Sequence, residues 1–377
     1  MQGAERTRTA SLLSDRQRRI WLRLIRSENV GPASFRALIN RFGSAEAALE
    51  ALPELAERGG RQRITIPSWA QIDAEMEAAD RMGARFVAIG EEDYPPLLSR
   101  ADNPPPLIAI KGRANLMSAP AIAVVGARNA SVSGAKLAQK LAVQLGSAGF
   151  LIVSGLARGI DAAAHRGSLE TGTVAVIAGG LDHPYPPENI ALYEEIAERG
   201  VVLSEMPFGW APRAQDFPRR NRIVAGMSYG LLVVEAAERS GSLISARLAN
   251  EMGRLVFAVP GSPLDPRSGG ANRLLKDGAI LVTCVDDITE AMIPLIGRPM
   301  TVPIFEEPPD LSSIPPPDDD DRSRVVEALG PTPASTDELI RHTGLQAPQI
   351  ALVLLELDLA GRIERHSGGF VSLLLDP

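Results

Sequence analysis

Three observations predict an α/β fold built on a doubly wound, mostly parallel sheet. Residues 84–297 alternate short apolar or β-branched runs with helical stretches. Most of those runs are apolar almost without interruption, as strands covered on both faces are. Gly- and Ser-rich turns follow several of them, as expected of loops at the carboxyl ends of parallel strands.

In chain order, residues 1–83 read as a small helical domain. Phe35, Leu38, Ile39 and Phe42 recur at helical spacing, Gly43 stands where a helix stops, and Ser44 can cap the next one. The stretch SENVGPASFRALINRFG has the form of a helix-hairpin-helix or SAM-like pair, whose Gly turn offers amides to a phosphate; it equally describes a plain turn between packed helices. Strands are expected at Phe86–Ile89, Leu107–Ile110, Ile122–Val125, Leu151–Val153, Val174–Ile177, Val201–Leu203, Leu231–Val234, Leu255–Val259 and Ile280–Val282. Helices separate them, such as 134–147, where Leu137, Ala138, Leu141 and Leu145 share a stripe. Residues 298–321, rich in Pro and acids, read as a solvated linker. Helices 322–329, 335–342 (with Ser335 and Glu338 as a capping box) and 347–360, then the strand-like GRIERHSGGFVSL, give residues 322–377 the order of a winged helix.

The 377 residues carry a net charge of −7, which opposes phosphate binding at first sight. Seven acids and no base lie within 306–321, however, and without them acids and bases balance. Residues 121–290 hold 16 bases and 17 acids, so binding a polyanion requires the bases to gather on one edge. Residues 322–377 hold five bases and seven acids, and helix 347–360 has no Lys or Arg. Duplex reading by that domain is disfavoured, and its apolar faces point to protein interaction or dimer packing. The single Cys284 excludes an internal disulfide and any CxxC site. His183 has no partner at ligand spacing, so no metal is expected. With no secretory leader and no apolar run of membrane-spanning length, the protein reads as cytoplasmic with no membrane partner.

Loops at the carboxyl edge form the candidate site. The first, GARNASVSG, begins at Gly126 and puts Arg128 where a dinucleotide-binding turn needs its second glycine. A guanidinium there obstructs a pyrophosphate and offers a fork to a phosphate beyond it. The second, SGLARGID, brings Ser154, Gly155, Arg158, Gly159 and Asp161, with glycines for close backbone approach. Asp161 and His165 read as a helix cap paired with a structural histidine rather than as a catalytic pair. The third, GGLDHPYPPEN, carries Tyr185 and Asn189 and suits a groove for a base or sugar. Next, EMPFGWAPRAQDFPRRNRIVAG interleaves Arg213, Arg219, Arg220 and Arg222 with Phe208, Trp210 and Phe217: cations for phosphates, rings for unpaired bases. Its alternative is a surface loop with buried anchors and salt bridges. The stretch ERSGSLISA sets Ser240, Gly241 and Ser242 at a helix start, with Ser242 as the N-cap, and PGSPLDPRSGGANRL adds Arg267 and Asn272.

Taken in order over about residues 86–285, VVGARNASVSG, VSGLARGIDAAAH, GGLDHPYPPEN, FPRRNRIVAG, VVEAAERSGSLISA and VFAVPGSPLDPRSGGANRLLKDGA, with YPPLL upstream, resemble the DNA-processing protein A family (DprA, or Smf). The resemblance implies an extended Rossmann-like core that binds and protects single-stranded DNA, forms a homodimer and loads the RecA recombinase in natural transformation. It implies no catalytic residue, no enzymatic activity and no cofactor. It further implies that Arg128 contacts phosphate, that Arg220-Asn221-Arg222 is the family's basic motif, and that Gly155, Arg158 and Gly159 belong to its second DNA-contacting loop. One position departs: where the family carries a lysine after Tyr-Pro, this chain has Pro187, so Arg158 or Arg219 supplies the charge or affinity is lower. The competing reading is a Rossmann-type nucleoside monophosphate hydrolase, which needs a PGGxGTxxE-like motif; the nearest stretch, PGSPLDPRSGG, lacks it.

Overall fold

The computed structural model describes residues 13–296 and 315–374. Its elements are α1 (Asp15–Ile25), α2 (Pro32–Phe42), α3 (Ala45–Arg58), α4 (Trp69–Arg81), β1 (Ala84–Ala88), β2 (Leu107–Gly112), β3 (Ala121–Val125), α5 (Val132–Ser147), β4 (Leu151–Ser154), α6 (Ile160–Ser168), β5 (Thr173–Val176), α7 (Ile190–Arg199), β6 (Val201–Ser204), α8 (Asp216–Gly226), β7 (Gly230–Val233), α9 (Gly241–Glu251), β8 (Leu255–Ala258), α10 (Gly269–Lys276), β9 (Ile280–Leu281), α11 (Asp286–Met292), α12 (Asp319–Ala328), β10 (Ala334–Ser335), α13 (Thr336–Thr343), α14 (Ala347–Leu359), β11 (Ile363–Arg365) and β12 (Phe370–Leu373). Among the described residues these form two compact units, one of Leu13 and 74–296, the other of 14–73 together with 315–374.

In the first unit, the described residues form a nine-stranded sheet in the order β1-β2-β6-β5-β4-β3-β7-β8-β9. From β6 across to β9 all pairs are parallel; β2 joins β6, and β1 joins β2, antiparallel. Each expected strand is present, with ends shifted by two residues at most. The chain lays down β3 to β6 in one direction and then returns to the other side of β3 with β7, β8 and β9. Strand order therefore reverses between β3 and β7, where a doubly wound sheet opens a crevice at its carboxyl edge. Both faces are covered, which accounts for the unbroken apolar runs. Ile122 and Val124 pack with the buried stripe of α5 and with residues of α6 and α11, while Ala123 and Val125 pack with residues of α8, α9 and α10.

The second unit corrects two expectations and adds to a third. Helix α14 has no Lys or Arg because it is buried on two sides within this chain. Leu352, Leu355 and Leu359 join the core of α1 to α3, whereas Ile350, Val353, Leu354 and Leu357 join that of α12, α13 and the three-stranded sheet β10-β12-β11. Its apolar faces are thus accounted for without a partner or a second copy. Residues 14–73 and the C-terminal region, read from the sequence as separate domains, share that core. The linker expected at 298–321 also ends earlier: Asp318 caps α12, accepting the Asp321 N–H at 2.8 Å, and Asp319, Asp320 and Asp321 fill its first turn. There the helix dipole favours negative charge. The remaining linker acids, Glu306, Glu307 and Asp310, lie outside the described residues. Gly43 ends α2 with φ 72°, Ser44 caps α3, and Ser335 and Glu338 form the capping box of α13.

Candidate nucleic-acid interface

A cavity of about 600 Å³ opens at the strand-order reversal. It is walled by the loops after β3 and β4, by α8, and by the amino end of α9. Of the expected residues it gathers Gly126, Arg128, Gly155, Arg220, Asn221, Ser240, Gly241 and Ser242, together with Phe217, Asp161 and Arg267. Ser154, Arg158, Gly159, Asn189, Arg219 and Arg222 do not line it.

The arginines divide sharply. Arg128 is exposed, has no carboxylate partner among the described residues, and holds its guanidinium 5.2 Å above the Phe217 ring. Phe217 in turn packs against Tyr185 at 5.7 Å with a 60° tilt, and Tyr185 is 48% exposed. A cation and two rings thereby form one row, of which Arg128 and Phe217 line the crevice.

Arg220, by contrast, is buried. Its Nη1 donates to the carbonyls of Gly155 and Val176, fastening α8 to the ends of β4 and β5. A Cβ at residue 155 would lie 2.5 Å from that guanidinium, so the approach requires glycine. Burial lowers the Arg220 pKa to about 10, Asp161 opposes the shift, and the charge of Arg128 adds to it. Arg219 and Arg222 both turn to Glu205, a largely buried carboxylate just beyond β6: Arg219 Nε donates at 3.0 Å and Arg222 Nη2 to the other oxygen. Arg222 also donates to the Asn103 carbonyl at 3.0 Å. The expected row of free cations is therefore not what α8 presents. Residues 219 and 222 are three apart on a helix, share a face, and meet one acid. Glu205 escaped the sequence reading, although a lone acid opening an Arg-rich stretch right after an apolar run was the available signal.

The remaining residues are mostly structural. Arg158 is exposed and stands 3.5 Å from Glu188. Ser154 donates to the Val124 carbonyl (2.6 Å), Asn189 to that of Leu156 (2.9 Å), and Gly159 precedes α6 with φ 74°. Trp210 lies under Arg213, at 4.4 Å, and donates its indole N–H to Asp216; Phe208 packs on Phe86. Phe217 and Tyr185 are thus the rings of this region that pair with Arg128 in one row.

Asp161 accepts the N–H groups of Gly155 (3.1 Å) and Ala157 (3.3 Å). Burial raises its pKa while Arg220 and these amides pull the other way. The pairing expected with His165 does not form. His165 faces the Thr173 hydroxyl at 2.7 Å, and burial, with Arg220 and Arg166 adding to it, lowers its pKa to about 3. Ser240, not Ser242, caps α9, accepting the Ser242 N–H at 3.3 Å, because the helix begins two residues earlier than expected. Among the described residues no three His, Cys, Asp or Glu gather as a metal site requires, and no helix is long and apolar enough to cross a membrane.

A family model described as DNA recombination-mediator protein A matches residues 85–293, the whole of this crevice. The chain belongs to that family. Models of a DprA-like N-terminal HHH domain and a DprA winged helix domain match residues 15–78 and 307–369. The chain is 30% identical to protein Smf of Synechocystis over 94% of this chain and 98% of that one. It is 34% identical to protein Smf of Escherichia coli over 85% of each. The DNA processing protein DprA of Streptococcus pneumoniae is 46% identical over 53% of this chain and 72% of its own. Of solved structures, DprA from Streptococcus pneumoniae superposes with TM-score 0.57 at 38% identity, covering 66% of this chain and 82% of that one. DprA from Helicobacter pylori, whose structure concerns its single-stranded DNA binding mode, gives 0.52 at 29% identity, covering 56% and 96%.

Proposed function

We propose that this DprA-family protein binds single-stranded DNA in the crevice and hands it to the RecA recombinase, as a cytoplasmic homodimer without enzymatic activity. The observation that carries the DNA reading is the row Arg128–Phe217–Tyr185 facing the amino end of α9. Phosphates meet Arg128 near the positive end of the α9 dipole, and an unpaired base stacks on the rings. A duplex, with its bases already stacked, gains nothing from those rings. The single-stranded DNA binding mode named for the Helicobacter pylori relative supports the same reading. Membership of the family supports reading the chain as protecting incoming DNA, loading RecA and forming a dimer. The non-enzymatic reading rests on the carboxylates near the crevice: Asp161 and Asp216 are both engaged with N–H donors.

Fluorescence anisotropy with labelled single- and double-stranded oligonucleotides across a salt series tests the DNA reading. Tighter binding of single strands, weakening steeply with salt, is expected; equal or tighter binding of duplex would contradict it. Release of free base from adenosine monophosphate would overturn the non-enzymatic part.

A further inference from the structure

In folds of this class the helix after the first parallel strand presents free amides to a phosphate. Here that position is taken. The first helix of the parallel section is α5, and the carboxylate beside its amino end is Glu235, two residues beyond β7. One Glu235 oxygen accepts the backbone N–H of Ser131 at 2.9 Å, and the other accepts the Ser131 hydroxyl at 2.5 Å. Ser131 in turn caps α5, accepting the Gly134 N–H at 2.8 Å. The carboxylate lies so close that a Cβ at residue 134 would meet it at 2.4 Å. The neighbouring loop repeats the device, with Asp161 on the N–H groups of Gly155 and Ala157. At the amino end of α9 no carboxylate takes part among the described residues: its cap is the Ser240 hydroxyl, which accepts the Ser242 N–H.

We propose that Glu235 is a built-in anion that closes the usual phosphate seat of this fold, so that the site rejects free phosphate and mononucleotides and is left to a strand. The charge complement is local. Asp161 neutralises the buried Arg220, and Glu235 stands near Arg267, itself bridged to Asp265. Arg128 alone among these arginines faces the crevice without a carboxylate, so phosphate contacts fall on its side. Glu235 acts as a specificity-determining residue through its negative charge at that amino end, not by touching the strand. The placing of the strand rests on the single-stranded DNA reading, whereas the rejection of small anions does not.

Calorimetric titration of the full chain with inorganic phosphate, and separately with adenosine monophosphate, at fixed ionic strength tests it. Wild type is expected to give no saturable binding at millimolar ligand, and Glu235→Ala to bind phosphate saturably in that range, since removal of a negative charge from a helix amino end favours an anion there. Glu235→Gln covers the case in which the alanine variant fails to fold. Its amide oxygen still accepts the Ser131 N–H, so a purely structural role would leave anion binding unchanged, whereas the proposal requires a gain. Phosphate affinity of Glu235→Gln equal to that of wild type, or saturable phosphate binding by wild type itself, overturns the proposal. Single-strand anisotropy on the same samples keeps the two readings apart: loss of DNA binding by wild type sinks the DNA reading and leaves the anion result to be judged alone.

Discussion

The two walls of the crevice use their basic groups in opposite ways. On α8, Arg219, Arg220 and Arg222 each have a fixed partner: Glu205 for the outer two, carbonyls and Asp161 for the buried one. On the loop after β3, Arg128 has a ring beneath it and no carboxylate. A guanidinium already paired and desolvated contributes to stability and shape, and its charge is offset before any ligand arrives. An exposed, unpaired one releases counterions when a phosphate binds. Arginine-rich sequence and phosphate-binding charge are therefore different quantities, and the carboxylates decide between them.

The largest effect expected from this contrast is on stability. Arg220→Ala leaves Asp161 buried without its counter-charge and frees two carbonyls, which should cost about 3–5 kcal/mol. Thermal or denaturant unfolding of the variant checks it, and a loss under about 1 kcal/mol would mean that α8 is not anchored this way. Next comes the ring row: Phe217→Ala should weaken single-strand binding by about 1–3 kcal/mol while leaving the salt slope intact, because stacking carries no counterions. A changed slope at constant affinity would reverse the roles of ring and cation.

The smallest effect, read between pH 6.5 and 5, is a pH dependence behind the held wall. His165 is neutral in the fold, with a pKa near 3 against an ordinary 6.5. Below pH 6.5 the unfolded chain takes up a proton that the folded one refuses, so stability falls as pH drops from 6.5 toward 3, by at most about 1.4 kcal/mol per unit. Asp161, raised by burial, acts in the opposite sense, so the contribution is read as the difference between wild type and His165→Gln. The variant should lose less stability between pH 6.5 and 5; parallel melting curves would remove His165 from the account.

The sheet was largely legible in the sequence because burial on both faces writes each strand as a continuous apolar run, as in AIAVV of β3. The crevice was legible to the extent that glycines and serines mark strand-end loops. Pairing was not legible. Glu205 lies 14 residues from Arg219, and Glu235 lies 104 from Ser131. These partners become neighbours only through the strand order, in which β3 pairs with β7. The same limit applies to α14: its lack of Lys and Arg was plain, but the helices that cover it begin more than 300 residues earlier, as the Asn29 bond to the Leu359 carbonyl shows, 330 residues apart. Residues 318–321 misled for a local reason, since four consecutive acids look like linker and also suit the first turn of a helix.

The division between the walls is tested most directly by the salt dependence of single-strand affinity for wild type, Arg128→Ala and Arg219→Ala. Arg128→Ala should weaken binding and reduce the slope of log affinity against log salt by about 0.7, one phosphate contact on a single strand. Arg219→Ala, its charge already answered by Glu205, should leave the slope nearly unchanged. A slope that falls for Arg219→Ala and stays put for Arg128→Ala would contradict the assignment of free and held charge.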